Sequence, residues 1–114
     1  MNRPIVYVPQ QPTRMTENGP ATIYDITPAL NFGSLISLFG NAPVMLSTNV
    51  VVEQLQLKLA TFNDDDYILC IGDPALIAVT AMVASSINDG RVRMLRWDRH
   101  QRQYLALKYD LKGE

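Results

Sequence analysis

Four groupings in this chain bring together residue types that could do chemistry. The first is Gly72-Asp73-Pro74, set where an apolar, β-like run from Tyr67 to Ile71 passes into a helix-like one. Strand, glycine turn and helix start is how many phosphate sites begin, because free N–H groups and the helix dipole attract an anion. A phosphate loop, however, normally carries several glycines or a Gly-Lys-Ser/Thr ending, and this turn has neither. Asp73 also suits an N-cap whose own carboxylate takes up those N–H groups, with Pro74 at N1. Gly72 and Asp73 are therefore expected to form a helix cap, with an anion site as the alternative.

The second grouping is Asp64-Asp65-Asp66. A calcium loop spaces its ligands at alternate positions and adds a glycine and a distant glutamate, so three consecutive aspartates read better as a solvated connection. The third is Cys70 with His100, the one cysteine and the one histidine. Cys70 lies between Leu69 and Ile71, where a buried, inert thiol is expected, and His100 sits in a polar segment between arginines. They make no credible nucleophile–base couple and no usual zinc set. The reading is a protein that is not an enzyme, with no metal and no cofactor.

The fourth grouping lies near the C-terminus. Arg91, Arg93, Arg96, Arg99 and Arg102 fall within twelve residues, with Trp97 and Tyr104 beside them. Arginine interleaved with aromatics serves phosphate contact plus base stacking, and it equally serves protein interfaces, where Trp, Tyr and Arg dominate the energy. The bland alternative is a solvated hairpin in which Trp97 packs on the core and arginine stems cover it. Arg93, Arg96, Trp97, Arg99 and Tyr104 are the candidate contact set.

The elements that must position these groups are legible from periodicity. Ile5 to Val8 reads as a first strand, and Ala21 to Ile26, after the Asn18-Gly19-Pro20 turn, as a second. Residues 32–39 read as a third strand, with a short helix as the competing reading. Residues 40–43 form a loop. Val51, Leu55, Leu59 and Phe62 then recur at helical spacing, with Thr48 or Asn49 a plausible N-cap. Tyr67 to Ile71 is a short apolar strand of the type buried on both faces. The helix that follows is apolar nearly all round to Ser85 and is expected to be buried, with Ala75, Ala78, Ala81 and Ala84 as a small-residue row. Val92 to Trp97 and Tyr104 to Leu111 are the last two strands; in the latter Leu105, Leu107, Tyr109 and Leu111 share a face. The order is β-β-(β)-α-β-α-β-β: an α+β fold, a mixed sheet of five or six strands with two helices, in a single domain over residues 1–114.

Composition bounds the function classes. The chain is 47 % hydrophobic and 18 % charged, within the range of a soluble domain. Its apolar share leaves room for surface that a second copy or a partner covers. The longest apolar run, Ala75 to Val83, is too short to cross a bilayer, and the prolines and polar groups of the first twenty residues do not resemble a signal peptide. A lone cysteine suits a reducing compartment, so the expectation is cytoplasmic. The net charge of −1 conceals an asymmetry: residues 1–90 hold three basic and eight acidic groups, residues 91–114 seven and three. The basic end makes a local field.

Asp66-Tyr67 entering an apolar strand, then Ile71-Gly72-Asp73-Pro74, a small-residue helix and Leu95-Arg96-Trp97-Asp98-Arg99 resemble a group of small uncharacterised tailed-bacteriophage proteins. Tyr24 to Leu30 is a further echo, and the likeness covers roughly the last half of the chain. It implies a phage origin and action inside a bacterial cell; no functional residues come with it. The expectation is a non-enzymatic binding protein that engages a host protein, such as the transcription machinery or a defence factor, and self-associates as a dimer. A nucleic-acid-binding protein using the same residues is the alternative. A small-ligand module at the start of the second helix is a third reading.

Overall fold

The computed structural model describes residues 3–40 and 48–113. Residues 41–43 of the expected loop lie outside the described residues. In chain order the elements are β1 (Ile5–Val8), β2 (Thr13–Thr16), β3 (Gly19–Thr22), a 3-10 turn (Thr27–Asn31), β4 (Ser34–Ser37), α1 (Thr48–Lys58), β5 (Tyr67–Leu69), α2 (Pro74–Ile87), β6 (Arg91–Asp98) and β7 (Gln103–Asp110). Five strands form one mixed sheet in the order β4-β1-β5-β6-β7. The first four are mutually parallel and β7 runs antiparallel to β6. This is the expected α+β architecture, and residues 32–39 contribute a strand, not a helix.

The central strands are short and continuously apolar because both faces are covered. Tyr7, Ile68 and Val92 point to the side where α1 and α2 lie and pack with Leu55, Leu59, Phe62, Leu76 and Val83. Val6, Val8, Leu69 and Leu95 point to the other side and meet Ile26 and Ala29 around the 3-10 turn, with Phe32, Tyr67 and Tyr104 at the margin. Phe32 meets Tyr67 edge-on with ring centroids 5.5 Å apart.

Several expectations need correction. The second expected strand, Ala21 to Ile26, is not in the main sheet. Its first part belongs to β3, which pairs only with β2, so the Asn18-Gly19 turn joins the strands of a separate hairpin, Thr16 opposite Gly19. Thr16 Oγ1 donates to the Gly19 carbonyl at 2.6 Å and accepts from Asn18 N–H, which supplies locally what an apolar face would supply elsewhere. Asp25 then accepts from Thr27 N–H and starts the 3-10 turn.

The second correction concerns α2. It buries Leu76, Thr80, Val83 and Ala84, but Ala75, Ala78 and Met82 face solvent, Met82 being 69 % exposed. Composition suggested burial on all sides; no described element lies over the outer face, so the alanine row is divided between core and surface. At α1, Thr48 and Asn49 lie within the helix, not ahead of it.

The third is Asp66. Asp64 and Asp65 are exposed, but Asp66 is 3 % exposed. Its Oδ1 accepts from Ile5 N–H at 3.0 Å and its Oδ2 from Asn63 N–H at 3.1 Å. One carboxylate therefore holds the start of β1 and the turn before β5 together.

Two stability experiments follow. Asp66→Ala leaves two N–H groups without acceptors and is expected to cost about 2–4 kcal/mol in urea unfolding, with Asp66→Asn, which keeps one acceptor oxygen, in between. A loss below about 1 kcal/mol would remove Asp66 from this role. Gly72 has φ +112°, and a Cβ there would stand 2.7 Å from Gln10 Cβ. Gly72→Ala is thus expected to destabilise by more than about 1 kcal/mol, checked by the same unfolding series.

Candidate functional site

The β6–β7 hairpin is built by eight consecutive cross-strand pairs from Arg91↔Asp110 to Asp98↔Gln103. Because side chains alternate, the five expected contact residues do not share one face. Arg93, Trp97 and Tyr104 lie on the side of the 3-10 turn, Arg96 lies on the helix side, and Arg99 sits in the turn joining the strands.

Arg93 is committed inside the molecule. Its guanidinium lies over the Tyr67 ring, 4.0 Å from the centroid, a cation–π contact. Its Nε is buried with no hydrogen-bond partner, which the facing π-system partly offsets. Arg91, outside the candidate set, is committed too: Nε donates to Asp64 Oδ1 at 2.9 Å, and Asn88 donates to the same oxygen. These two hydrogen bonds, Arg91's first, hold the Asp64 carboxyl below its usual range. Lys112 pairs with Asp89.

The tip differs. Arg96, Trp97, Arg99, His100 and Arg102 are all exposed. Among the described residues no carboxylate lies within ion-pair distance of Arg96, Arg99 or Arg102. Asp98 accepts from His100 N–H at 2.9 Å and shapes the turn, and Arg102 takes φ +53°. Trp97 meets Tyr104 edge-on, centroids 5.0 Å apart, and stays 41 % exposed. It is a half-open platform and not a core residue. Burial pushes the Tyr104 hydroxyl up, with a smaller push from Asp25.

At Gly72 and Asp73 the corner is a cap. Asp73 accepts from Leu76 N–H at 3.1 Å and donates its own N–H to Gln10 Oε1 at 2.9 Å. A carboxylate stands where a bound anion would need donors. Beside it, a cleft of about 380 Å³ opens between α1 and α2, lined by Val51, Val52, Leu76 and Val79 with Thr48 and Asp73 at its polar side. Cys70 is half-buried, and burial raises its thiol, opposed by the Arg96 charge. Among the described residues no group of His, Cys, Asp and Glu is arranged to hold a metal ion. No helix is long and apolar enough to cross a membrane.

Sequence reasoning missed Tyr67 as the partner of Arg93 and took Asp66 for a solvated residue. A tyrosine entering a buried strand beside a carboxylate was visible, but its pairing spans 26 residues and has no local signature.

A family model described as phage Pam3 gp32-like protein matches residues 4–111. The chain belongs to that family. No curated protein and no solved structure matches it.

The exposure of Trp97 can be read out directly. Trp97→Ala is expected to cost about 1–2 kcal/mol in urea unfolding, the loss of one edge-on ring contact and part of its area. A loss of about 3–5 kcal/mol would mark the indole as core.

Proposed function

We propose that this member of a phage family is a small non-enzymatic binding protein that acts in the host cytoplasm by engaging a host protein through the tip of the β6–β7 hairpin. The observation that carries the reading is the contrast along the hairpin. At its base, Arg91 is neutralised and Arg93 is stacked on Tyr67. At its tip, three arginines keep unneutralised charge, Arg99 and Arg102 in the turn and Arg96 on the face opposite a half-exposed indole. Such a patch steers an acidic partner and offers an aromatic anchor with buried area. The contact set is therefore Arg96, Trp97 and Arg99, joined by Arg102, with Tyr104 as the support of the indole; Arg93 leaves the set. Host transcription machinery and defence factors are the targets to examine first.

Non-enzymatic action is supported by chemistry that does not converge. The exposed imidazole of His100 sits in the hairpin turn, and the Cys70 thiol is shifted away from the thiolate by burial.

The test compares tagged wild type with the Arg96→Glu/Arg99→Glu double variant on nuclease-treated host lysate, washed at high salt. A stoichiometric host protein on the wild type, lost from the variant, is the expected result. The exposed substitutions should change stability by less than about 0.5 kcal/mol. Equal retention by the variant would overturn the tip as the site. Nucleic acid recovered only when nuclease and high salt are omitted would instead assign the tip to phosphates and bases.

A further inference from the structure

We propose that β7 is a self-association edge: two copies join antiparallel through residues 107–111, about a two-fold axis at Tyr109, into one continuous sheet. This is independent of the tip reading and uses the opposite end of the hairpin.

β7 is the last strand of the five-stranded sheet and pairs with β6 alone among the described residues. It is eight residues long, against four for β4 at the other edge. Long edges are normally blunted by proline, a bulge or charged side chains; β7 has no proline, no glycine and an unbroken register, and its two charges, Lys108 and Asp110, are opposite in sign. Leu111 N–H donates to the Gly90 carbonyl at 2.9 Å. By strict alternation the odd-numbered residues of β7 turn their backbone groups toward β6, and Tyr104, Ala106, Lys108 and Asp110 turn theirs outward. Leu107, Tyr109 and Leu111 share the helix-side face, where Tyr109 is 50 % and Leu111 79 % exposed. Ile87, ending α2 at the same end of the molecule, adds further exposed apolar surface.

Charge complementarity selects the occupant and the register. With the axis at Tyr109, Lys108 of each copy faces Asp110 of the other, and Leu107 faces Leu111. The outward N–H and C=O groups of Lys108 and Asp110 then exchange ladder hydrogen bonds. The Asp110 carbonyl already accepts from Gly113 N–H at 3.1 Å and keeps its second lone pair. An axis at Lys108 would set that lysine against itself, and one at Leu107 would leave Lys108 against Ala106 and Asp110 against Tyr104. The sequence Leu107-Lys108-Tyr109-Asp110-Leu111 is its own complement under a two-fold, which is what an isologous interface requires. Antiparallel joining sends the two arginine-bearing tips to opposite poles, so neither is covered.

Sedimentation equilibrium on the intact chain tests this. Wild type is expected to dimerise. Lys108→Pro is expected to be monomeric with an unchanged circular dichroism spectrum, because the N–H it removes points away from β6. Lys108→Asp places like charges opposite one another twice and should weaken association about tenfold. Mixing Lys108→Asp with Asp110→Lys restores opposite charges at both positions and should recover the dimer; Asp110 faces Arg91, so the folding of that variant is confirmed first. A wild type that stays monomeric at high micromolar concentration overturns the proposal. So does a Lys108→Pro variant that dimerises as wild type does, since the dimer would then use another surface.

Discussion

The carboxylate of Asp66 is the contact on which the rest of the arrangement depends. A parallel sheet starts with amides that no neighbouring strand satisfies, and here the central pair, β1 and β5, has only two registered residues to hold it, Val6↔Tyr67 and Tyr7↔Ile68. Asp66 sits one residue before that register begins, almost wholly buried, and takes hydrogen bonds from Ile5 at the start of β1 and from Asn63, which opens the turn that Asp66 closes. A buried carboxylate is costly unless such donors surround it; with them it fixes where β5 enters relative to β1. At the opposite end of the same two strands Gln10 holds Asp73 N–H and lies against Gly72. The two centre strands are therefore clamped at both ends by side chains, and the sheet is built outward from them.

From that centre the hairpin inherits its division of labour. Tyr67, the first residue of β5, offers its ring to Arg93 of β6, and Asp64, two residues before Asp66, takes Arg91. Arg93 is drawn inward by a ring and Arg91 is paired at the surface, both by residues that flank Asp66 in the chain. Beyond Leu95, wholly buried against the 3-10 turn side, no comparable partner remains. The strands run on past the core, and their charges and rings stay with the solvent.

What the sequence disclosed and what it hid divide along range. The cap at Asp73 with Pro74, the alternation of β7, the strand at residues 34–37 and the helix carrying Val51 and Leu55 all rest on contacts within a turn or on strict periodicity, and each is present. The β2–β3 hairpin escaped because its strands bury almost nothing and so show no apolar period; threonine hydroxyls and a tight turn hold it instead. The exposure of α2 escaped for the opposite reason: an apolar helix announces that it is sticky, not how many layers cover it. Asp66 was grouped with two solvated neighbours of the same type, and only the incoming Ile5 N–H, 61 residues away in sequence, distinguishes it. Of the candidate site, the residue types were legible and the face on which each would lie was not fully used: alternation alone separates Arg96 from Arg93 and Trp97.

The charge asymmetry acquires a different meaning once it is placed. Seven basic groups in the last 24 residues suggest one broad positive surface. In the fold they fall into four sets. Arg91 and Lys112 are matched to Asp64 and Asp89, which the acidic first ninety residues supply. Arg93 is absorbed by a ring. Lys108 stands on the outer edge two residues from Asp110, balanced along the strand. Only Arg96, Arg99 and Arg102 remain to act outward, all within five residues of Trp97 in the chain. The acidic majority therefore does not oppose a negatively charged partner as a uniform field would. It is partly spent quieting the base of the hairpin, and an electropositive field is left at the tip.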